Sequence, residues 1–251
     1  MRLLAFDTST DSMSVAVQFD TGGQAIVLEH TGAGGAQASS SLIPAILDLM
    51  ARAGLAFADL DAIVFGRGPG AFTGLRTACS VAQGLGFGTQ GRPDGQPVPL
   101  LPVDTLLAVA EEARQRQAPG NAPLRVFAML DARMDQIYAA AYRFDGAGWQ
   151  RQGDILLDRP ENLALDATWA PADGVLAGNV FAAYGERLAC GAGLARVEAL
   201  PSAVALLRLA PALLAAGQAV IPELALPLYI RDKVAQTSSE RAAAKAAVPS
   251  S

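Results

Sequence analysis

Phe6-Asp7-Thr8-Ser9-Thr10-Asp11 sets residue for residue against Leu130-Asp131-Ala132-Arg133-Met134-Asp135, and each stretch leads into an apolar strand at the same offset. Around the first, alternating apolar residues predict strands over 3–7, 13–19 and 25–29, the last two joined by the hairpin signal Asp20-Thr21-Gly22-Gly23. Around the second they predict strands over 125–131, 137–144 and 149–157, with a turn at Asp145-Gly146. Helical and strand patterns then alternate in the first half: helix over 40–53, strand over 62–65, helix over 72–87 and a Gly/Pro-rich connector over 88–97. The same opening written twice reads as an internal duplication of a β-β-β-α-β-α unit.

Two such units facing each other across a cleft describe the actin-like, Hsp70-like (ribonuclease H-like) architecture, an α/β fold of two lobes with mixed sheets. The expected lobes are 1–102 and 103–233, with a late helix near 202–216 free to return to the first lobe and a flexible, solvated tail over 234–251. In this architecture each half offers an Asp-containing turn to nucleotide phosphates. The first turn keeps the small hydroxyl residues Thr8, Ser9 and Thr10, whereas Ala132, Arg133 and Met134 in the second include no glycine to bring backbone amides close to a phosphate. The cleft therefore reads as degenerate for ATP. Turn formation competes with a site role for Asp7 and Asp131, because aspartate hydrogen-bonds nearby amides.

Gly66-Arg67-Gly68-Pro69-Gly70-Ala71-Phe72-Thr73-Gly74-Leu75-Arg76 joins a strand to a helix. Closely spaced glycines allow positive φ and close approach, and Pro69 stiffens the turn. Amides at the helix start can face an anion, although a packed corner beneath the sheet explains the same residues. Neither the P-loop spacing nor GxGxxG fits, the latter because position 71 is alanine. Asp7, Thr8, Ser9, Thr10, Arg67, Gly68, Gly70, Arg76 and Arg133 are the candidate nucleotide or phosphate contacts. Guanidinium forks suit phosphate. Ion pairs with Asp7, Asp11, Asp131 or Asp135 compete for Arg67, Arg76, Arg133 and Arg231.

Composition narrows the class. The 251 residues are 51% hydrophobic and 17% charged, which suits a globular chain with a well-buried core. No apolar run reaches membrane-spanning length, and Asp7 comes too early for a signal-peptide core, so a cytoplasmic protein is expected. Cys79 and Cys190 are far apart, without metal-ligand spacing, and are not expected to form a disulfide. His30 is the only histidine, which leaves no two-histidine metal site and no catalytic relay through a second histidine. The net charge of −5 argues against a broad basic surface for nucleic acid.

Leu4-Ala5-Phe6-Asp7-Thr8-Ser9-Thr10, the glycine loop 66–76, Asp131-Ala132-Arg133-Met134-Asp135-Gln136-Ile137-Tyr138 and Pro227-Leu228-Tyr229-Ile230-Arg231 together resemble the TsaB family of bacterial tRNA threonylcarbamoyladenosine biosynthesis proteins. The four segments occur in family order and cover most of the chain up to residue 233. The resemblance implies an actin-like fold and a non-catalytic scaffold or activator for a paralogous metal-dependent ligase, TsaD. That ligase moves a threonylcarbamoyl group from an adenylate donor to the adenosine beside the anticodon, in tRNAs reading codons that begin with A. A small ATPase, TsaE, completes the machinery, and tRNA is reached through the complex. By the same resemblance the chain holds no cofactor tightly by itself, ATP or ADP belongs at a partner interface, and the chain alone forms a homodimer. Two departures weaken catalysis by this chain: Gln37-Ala38-Ser39-Ser40-Ser41, shortly before Leu42-Ile43-Pro44-Ala45-Ile46, contains no histidine, and Ala71 stands where serine is commoner.

Leu42, Ile43, Ile46, Leu47, Leu49 and Met50 surround much of the first helix, more apolar surface than one stripe requires. Ala78, Ala82, Gly84 and Gly88 make the second helix easy to approach. Leu42, Ile46, Leu49, Met50, Ala78, Ala82 and Leu85 are therefore the expected partner interface, a helical bundle whose anchors are exposed in the monomer. Packing within the chain is the competing explanation. The functional alternative is an independent ATPase or sugar-kinase relative using the cleft. A metallopeptidase lacks the histidines.

Overall fold

Strand β1 (Leu3–Asp7) is buried along its whole length, as only the centre of a sheet covered on both faces allows. In the computed structural model, which describes residues 1–89, 95–117, 120–164, 174–188 and 193–231, β1 pairs antiparallel with β2 (Ser12–Thr21) and parallel with β4 (Ala62–Gly68). β3 (Gln24–Ala33) and β5 (Leu100–Asp104) complete a sheet of order β3-β2-β1-β4-β5. The second sheet contains β6 (Leu124–Arg133), β7 (Gln136–Phe144), β8 (Trp149–Asp158), β9 (Gly174–Gly178) and β10 (Ala195–Glu198) in the order β10-β9-β6-β7-β8. Taken from β8 it is the first sheet again, with β7 and β6 antiparallel and β6 and β9 parallel. The duplication and the two-lobed α/β fold are thus present in the topology.

Alternate residues of β1 serve different layers. Leu4 and Phe6 meet α1 (Ala38–Ala53) and α2 (Phe72–Phe87), through Leu42, Ile46, Leu49, Ala78 and Ala82. Leu3 and Ala5 meet α3 (Thr105–Gln117) and α5 (Ala203–Ala215), through Ala108, Leu206, Leu207 and Ala210. Helix α5 starts on Ser202, whose side chain accepts from the Ala205 amide, and the Ala203 amide donates to Ser14 on β2. This late helix therefore packs on the first sheet. Helix α3 also lies on β6, where Leu106, Val109 and Ala113 pack with Val126 and Ala128. On the opposite face of the second sheet, the short α4 (Phe181–Tyr184) covers Met129, Ile137 and Leu176.

The helix faces correct the expected interface. Leu42, Ile46, Leu49, Met50, Ala78 and Ala82 are all core residues of this chain. Positions 42, 46, 49 and 50 follow a single helical stripe turned onto β2 and β1, so they offer no surface to a partner. Leu85 is half-buried against the same core. The outward apolar residues are Ile43 and Leu47, one turn apart and 48% and 51% exposed, with Phe72 and Phe87 at the two ends of α2. No described helix is long and apolar enough to cross a membrane. Cys190, the 234–251 tail and part of the 88–97 connector lie outside the described residues.

Candidate functional site

The two matched aspartates occupy equivalent places. Asp7 Oδ1 accepts from the Ser9 amide at 2.9 Å and the Ser9 hydroxyl at 2.6 Å. Asp131 Oδ1 accepts from the Arg133 amide at 2.8 Å and the Tyr184 hydroxyl at 2.7 Å. Each carboxylate closes a turn over the amide two residues ahead, which is what aspartate does at such corners. Burial pushes the Asp7 carboxyl above its ordinary range against the pull of Ser9, and Oδ2 has no hydrogen-bond partner among the described residues. Burial and then the bond to Asp131 push the Tyr184 hydroxyl up to about 12.

The glycine loop lies directly on the first turn. A Cβ at Gly66 would sit 1.7 Å from Asp7 Oδ2, and one at Gly74 would sit 1.8 Å from the Thr8 carbonyl oxygen. Thr8 Oγ1 donates to the Gly74 carbonyl at 2.7 Å, and the Ala71 amide donates to the Ser9 carbonyl at 2.7 Å. Asp7, Thr8 and Ser9 were expected as phosphate contacts, but all three are buried and their hydroxyls and Asp7 Oδ1 are already bonded internally. The physical reason is the close approach that glycine permits, which brings the α2 backbone where a ligand would need room. Gly68 and Gly70 serve the same packing: their missing side chains leave room for the Leu228 and Ser9 carbonyls.

The arginines are placed by ion pairs and stacking. Arg67 Nε donates to Asp104 Oδ1 at 2.7 Å, and Asp104 Oδ2 also accepts from Arg151 at 3.0 Å. The Arg76 guanidinium stacks 3.7 Å above the Phe72 ring, and its Nε donates to the Tyr229 hydroxyl at 3.1 Å. Arg133 reaches from the second lobe to Asp11 of the first and lies 3.6 Å from Asp131. Arg231 donates to the Gln136 side chain at 2.6 Å and the Ala132 carbonyl at 3.2 Å.

Between the lobes remains a cleft of about 310 Å³, with Thr10, Asp11 and Phe72 on one side, Asp131, Arg133 and Tyr138 on the other, and residues 228–231 laid along it. Within it Arg133 pairs with Asp11 and Asp131, whereas Arg231 is held by the neutral acceptors of Ala132, Arg133 and Gln136. Of the candidate contacts, the structure brings Ser9, Thr10, Gly70 and Arg133 to the cleft. Arg76 lies on the outer face of α2, in a shallow groove with Phe72, Thr73 and Thr77. Among the described residues no group of three His, Cys, Asp or Glu side chains is disposed to hold a metal ion.

Sequence reasoning missed Tyr184 and Asn179 as supports of the second turn. Asn179 Oδ1 accepts from the Asp131 amide at 3.0 Å. A signal existed, since Gly178 ends β9 with Asn179 directly after it, just as Gly66-Arg67 lies near the end of β4. It also missed the contact of Phe72 with Tyr229, whose ring centroids are 5.1 Å apart.

Three comparisons bear on this arrangement. The family model described as TsaD, tRNA N6-adenosine threonylcarbamoyltransferase, matches residues 34–238. The Escherichia coli tRNA threonylcarbamoyladenosine biosynthesis protein TsaB is 31% identical over 239 residues, spanning 94% of this chain and 96% of that protein. Its Haemophilus influenzae namesake is 36% identical over 143 residues, 55% of this chain and 52% of that protein. Among solved structures, YeaZ from Pseudomonas aeruginosa superposes with a TM-score of 0.76 at 38% identity, covering 91% of this chain and 99% of that one.

Proposed function

The chain belongs to the TsaB family, and from that premise we propose that it serves the formation of threonylcarbamoyladenosine in tRNA as an accessory scaffold and activator, without carrying out the transfer itself. The observation supporting the accessory role is the sealed first turn. The Thr8 and Ser9 hydroxyls and Asp7 Oδ1 bond to one another and to the glycine loop, and Asp7 Oδ2, without a hydrogen-bond partner among the described residues, is buried against Gly66, so these groups do not face outward to cradle a phosphate. The chemistry then belongs to a partner, the metal-dependent threonylcarbamoyltransferase paralogue TsaD. The small ATPase TsaE and the tRNA join through the complex, and ATP or ADP sits at a partner interface.

The surface best suited to that partner is the outward strip of α1 and α2, where Ile43, Leu47, Phe72 and Phe87 expose apolar side chains. Alone, the same strip would pair with a second copy. A few anchors that become buried on association carry most of the energy of a typical interface.

Reconstitution tests the proposal. Ligase, small ATPase, substrate tRNA, ATP and the threonylcarbamoyl adenylate donor are combined with and without this chain, and modified adenosine is counted. The expected result is modification that rises with the chain up to stoichiometric amounts, with ATP hydrolysis by the chain alone at background. Equal modification in its absence would remove the activator role, and turnover of ATP by the isolated chain would favour an actin-fold ATPase instead.

A further inference from the structure

Residues 225–231 leave the first lobe beside α2 and end on the β6–β7 hairpin of the second. On the first lobe, the Ala225 carbonyl accepts from Cys79 Sγ and from Gln83 Nε2, both at 2.9 Å. The Leu228 amide donates to the Arg67 carbonyl at 2.8 Å, and the Leu228 carbonyl oxygen occupies space that a side chain at Gly68 would fill, 2.6 Å from a Cβ there. Tyr229 then packs its ring on Phe72 and accepts from Arg76. The next two residues change sides. Ile230 packs against the core of the second sheet, and Arg231 donates to Ala132 and Gln136 on either side of the hairpin tip.

We propose that residues 225–231 form an internal strap that fixes the two lobes in one closed arrangement, in the place where a hinged two-lobed protein would hold a ligand. In hinge proteins, closure is stabilised by a ligand that touches both sides of the cleft. Here a single stretch of the chain's own backbone touches both sides and lines the cleft over four consecutive residues. Arg133 and Asp11 add a second link across the same gap.

The strap also meets the three residues other than glycine that adopt positive φ among the described residues. Arg133, Met134 and Asp135 all adopt positive φ, at 60°, 55° and 61°, a region that side chains other than glycine enter at a cost. A two-residue hairpin with both tip residues left-handed normally selects Asn-Gly, whereas this one carries Met134-Asp135. Its shape is held from outside: Arg231 bonds Ala132 and Gln136, and Arg187 binds Asp135 through two contacts at 2.7 and 2.8 Å. Loosening the strap therefore removes a restraint on this turn as well as the link between lobes.

The test places nitroxide labels on Val27→Cys and Leu156→Cys, exposed positions on β3 and β8, in the full chain with Cys190→Ser, while the buried Cys79 that anchors Ala225 is kept. Electron spin resonance should give one narrow interlobe distance, unchanged by ATP or ADP. Adding Tyr229→Ala and Arg231→Ala should broaden that distribution roughly twofold while the far-ultraviolet dichroism of the folded chain is kept. A distribution as narrow as the parent's overturns the strap, and so does a broad parent distribution that nucleotide narrows. Amide exchange on the unaltered chain decides the matter even if the double variant unfolds. The Leu228 amide should exchange as slowly as the amides of β6, and exchange at the rate of an open loop would refute the strap.

Discussion

Two glycines ten residues apart in the loop and second helix show how one residue type can have opposite effects. Gly74 faces the backbone of the first turn, where a Cβ would lie 1.8 Å from a carbonyl oxygen, whereas Gly84 on the same helix has nothing within 4 Å of its Cβ position. Backbone cannot move aside as a flexible side-chain end can, so Gly74→Ala is expected to destabilise the protein by about 3 kcal/mol or more. Gly84→Ala removes only the entropic penalty of glycine in a helix and should stabilise by up to ~1 kcal/mol. Urea denaturation midpoints of the two variants, read against the parent, check both signs.

At the scale of the element, α1 separates fold from function along its two faces. Ile46 is 1% exposed and packs on the first sheet, so Ile46→Glu buries an unpaired charge and should leave the monomer unfolded. Leu47, the next residue, is 51% exposed, so Leu47→Glu should keep the parent melting temperature while lowering tRNA modification in the reconstituted assay. Full modification with Leu47→Glu would remove this face from the proposed interface. Helix α3 makes a different kind of attachment. Glu111 accepts from Arg114 at 2.9 and 2.8 Å and from Trp149 Nε1 at 3.0 Å, which ties α3 to β8. Burial opposes its ionisation, but the bonds from Arg114, Trp149 and Gln115 outweigh it and hold its carboxyl below its ordinary range. A carboxyl depressed by folding adds stability above its unfolded pKa and loses that contribution as pH falls through the folded value. Glu111→Gln leaves Arg114 without its counter-charge and should cost about 3 kcal/mol near neutral pH. The gap from the parent should shrink in acid, and melting temperatures measured across pH test this.

Across the whole molecule, the hydrophobic cores run into one another. Leu107 and Trp149 each pack against both the second-sheet core and the core shared by the first sheet, α3 and α5. Lobes joined in this way should unfold together, so calorimetry is expected to show one transition whose calorimetric and van't Hoff enthalpies agree. Two resolved transitions would mean that the lobes are thermodynamically separate. Net charge acts at the same scale. At −5 the chain opposes the phosphate backbone, so tRNA should bind weakly and with strong salt dependence to the chain alone, and much more tightly once a partner adds basic surface. Filter binding at several salt concentrations distinguishes this from a self-sufficient tRNA-binding protein, which would show equal affinity in both cases.

The amino-acid sequence by itself determined the three opening strands of each half, the first two helices and the corners between them. Those signals are local: alternation along Leu3 to Asp7, helical spacing from Phe72 to Phe87, and Asp7 and Asp131 each turning the chain over the amide two residues ahead. The first helix carries apolar residues on both sides, so Leu42 and Ile43, or Ile46 and Leu47, are indistinguishable until the sheet takes one side into the core. Only the tertiary structure decided that α2 would cover the Asp7 turn, because that depends on how near two backbones come and not on any spacing within either. It alone brought Ala225 to Cys79, a contact separated by 146 residues, and carried Arg231 to the second hairpin. Such contacts leave no periodicity in the chain, because they arise from the juxtaposition of surfaces that exist only after both sheets have formed.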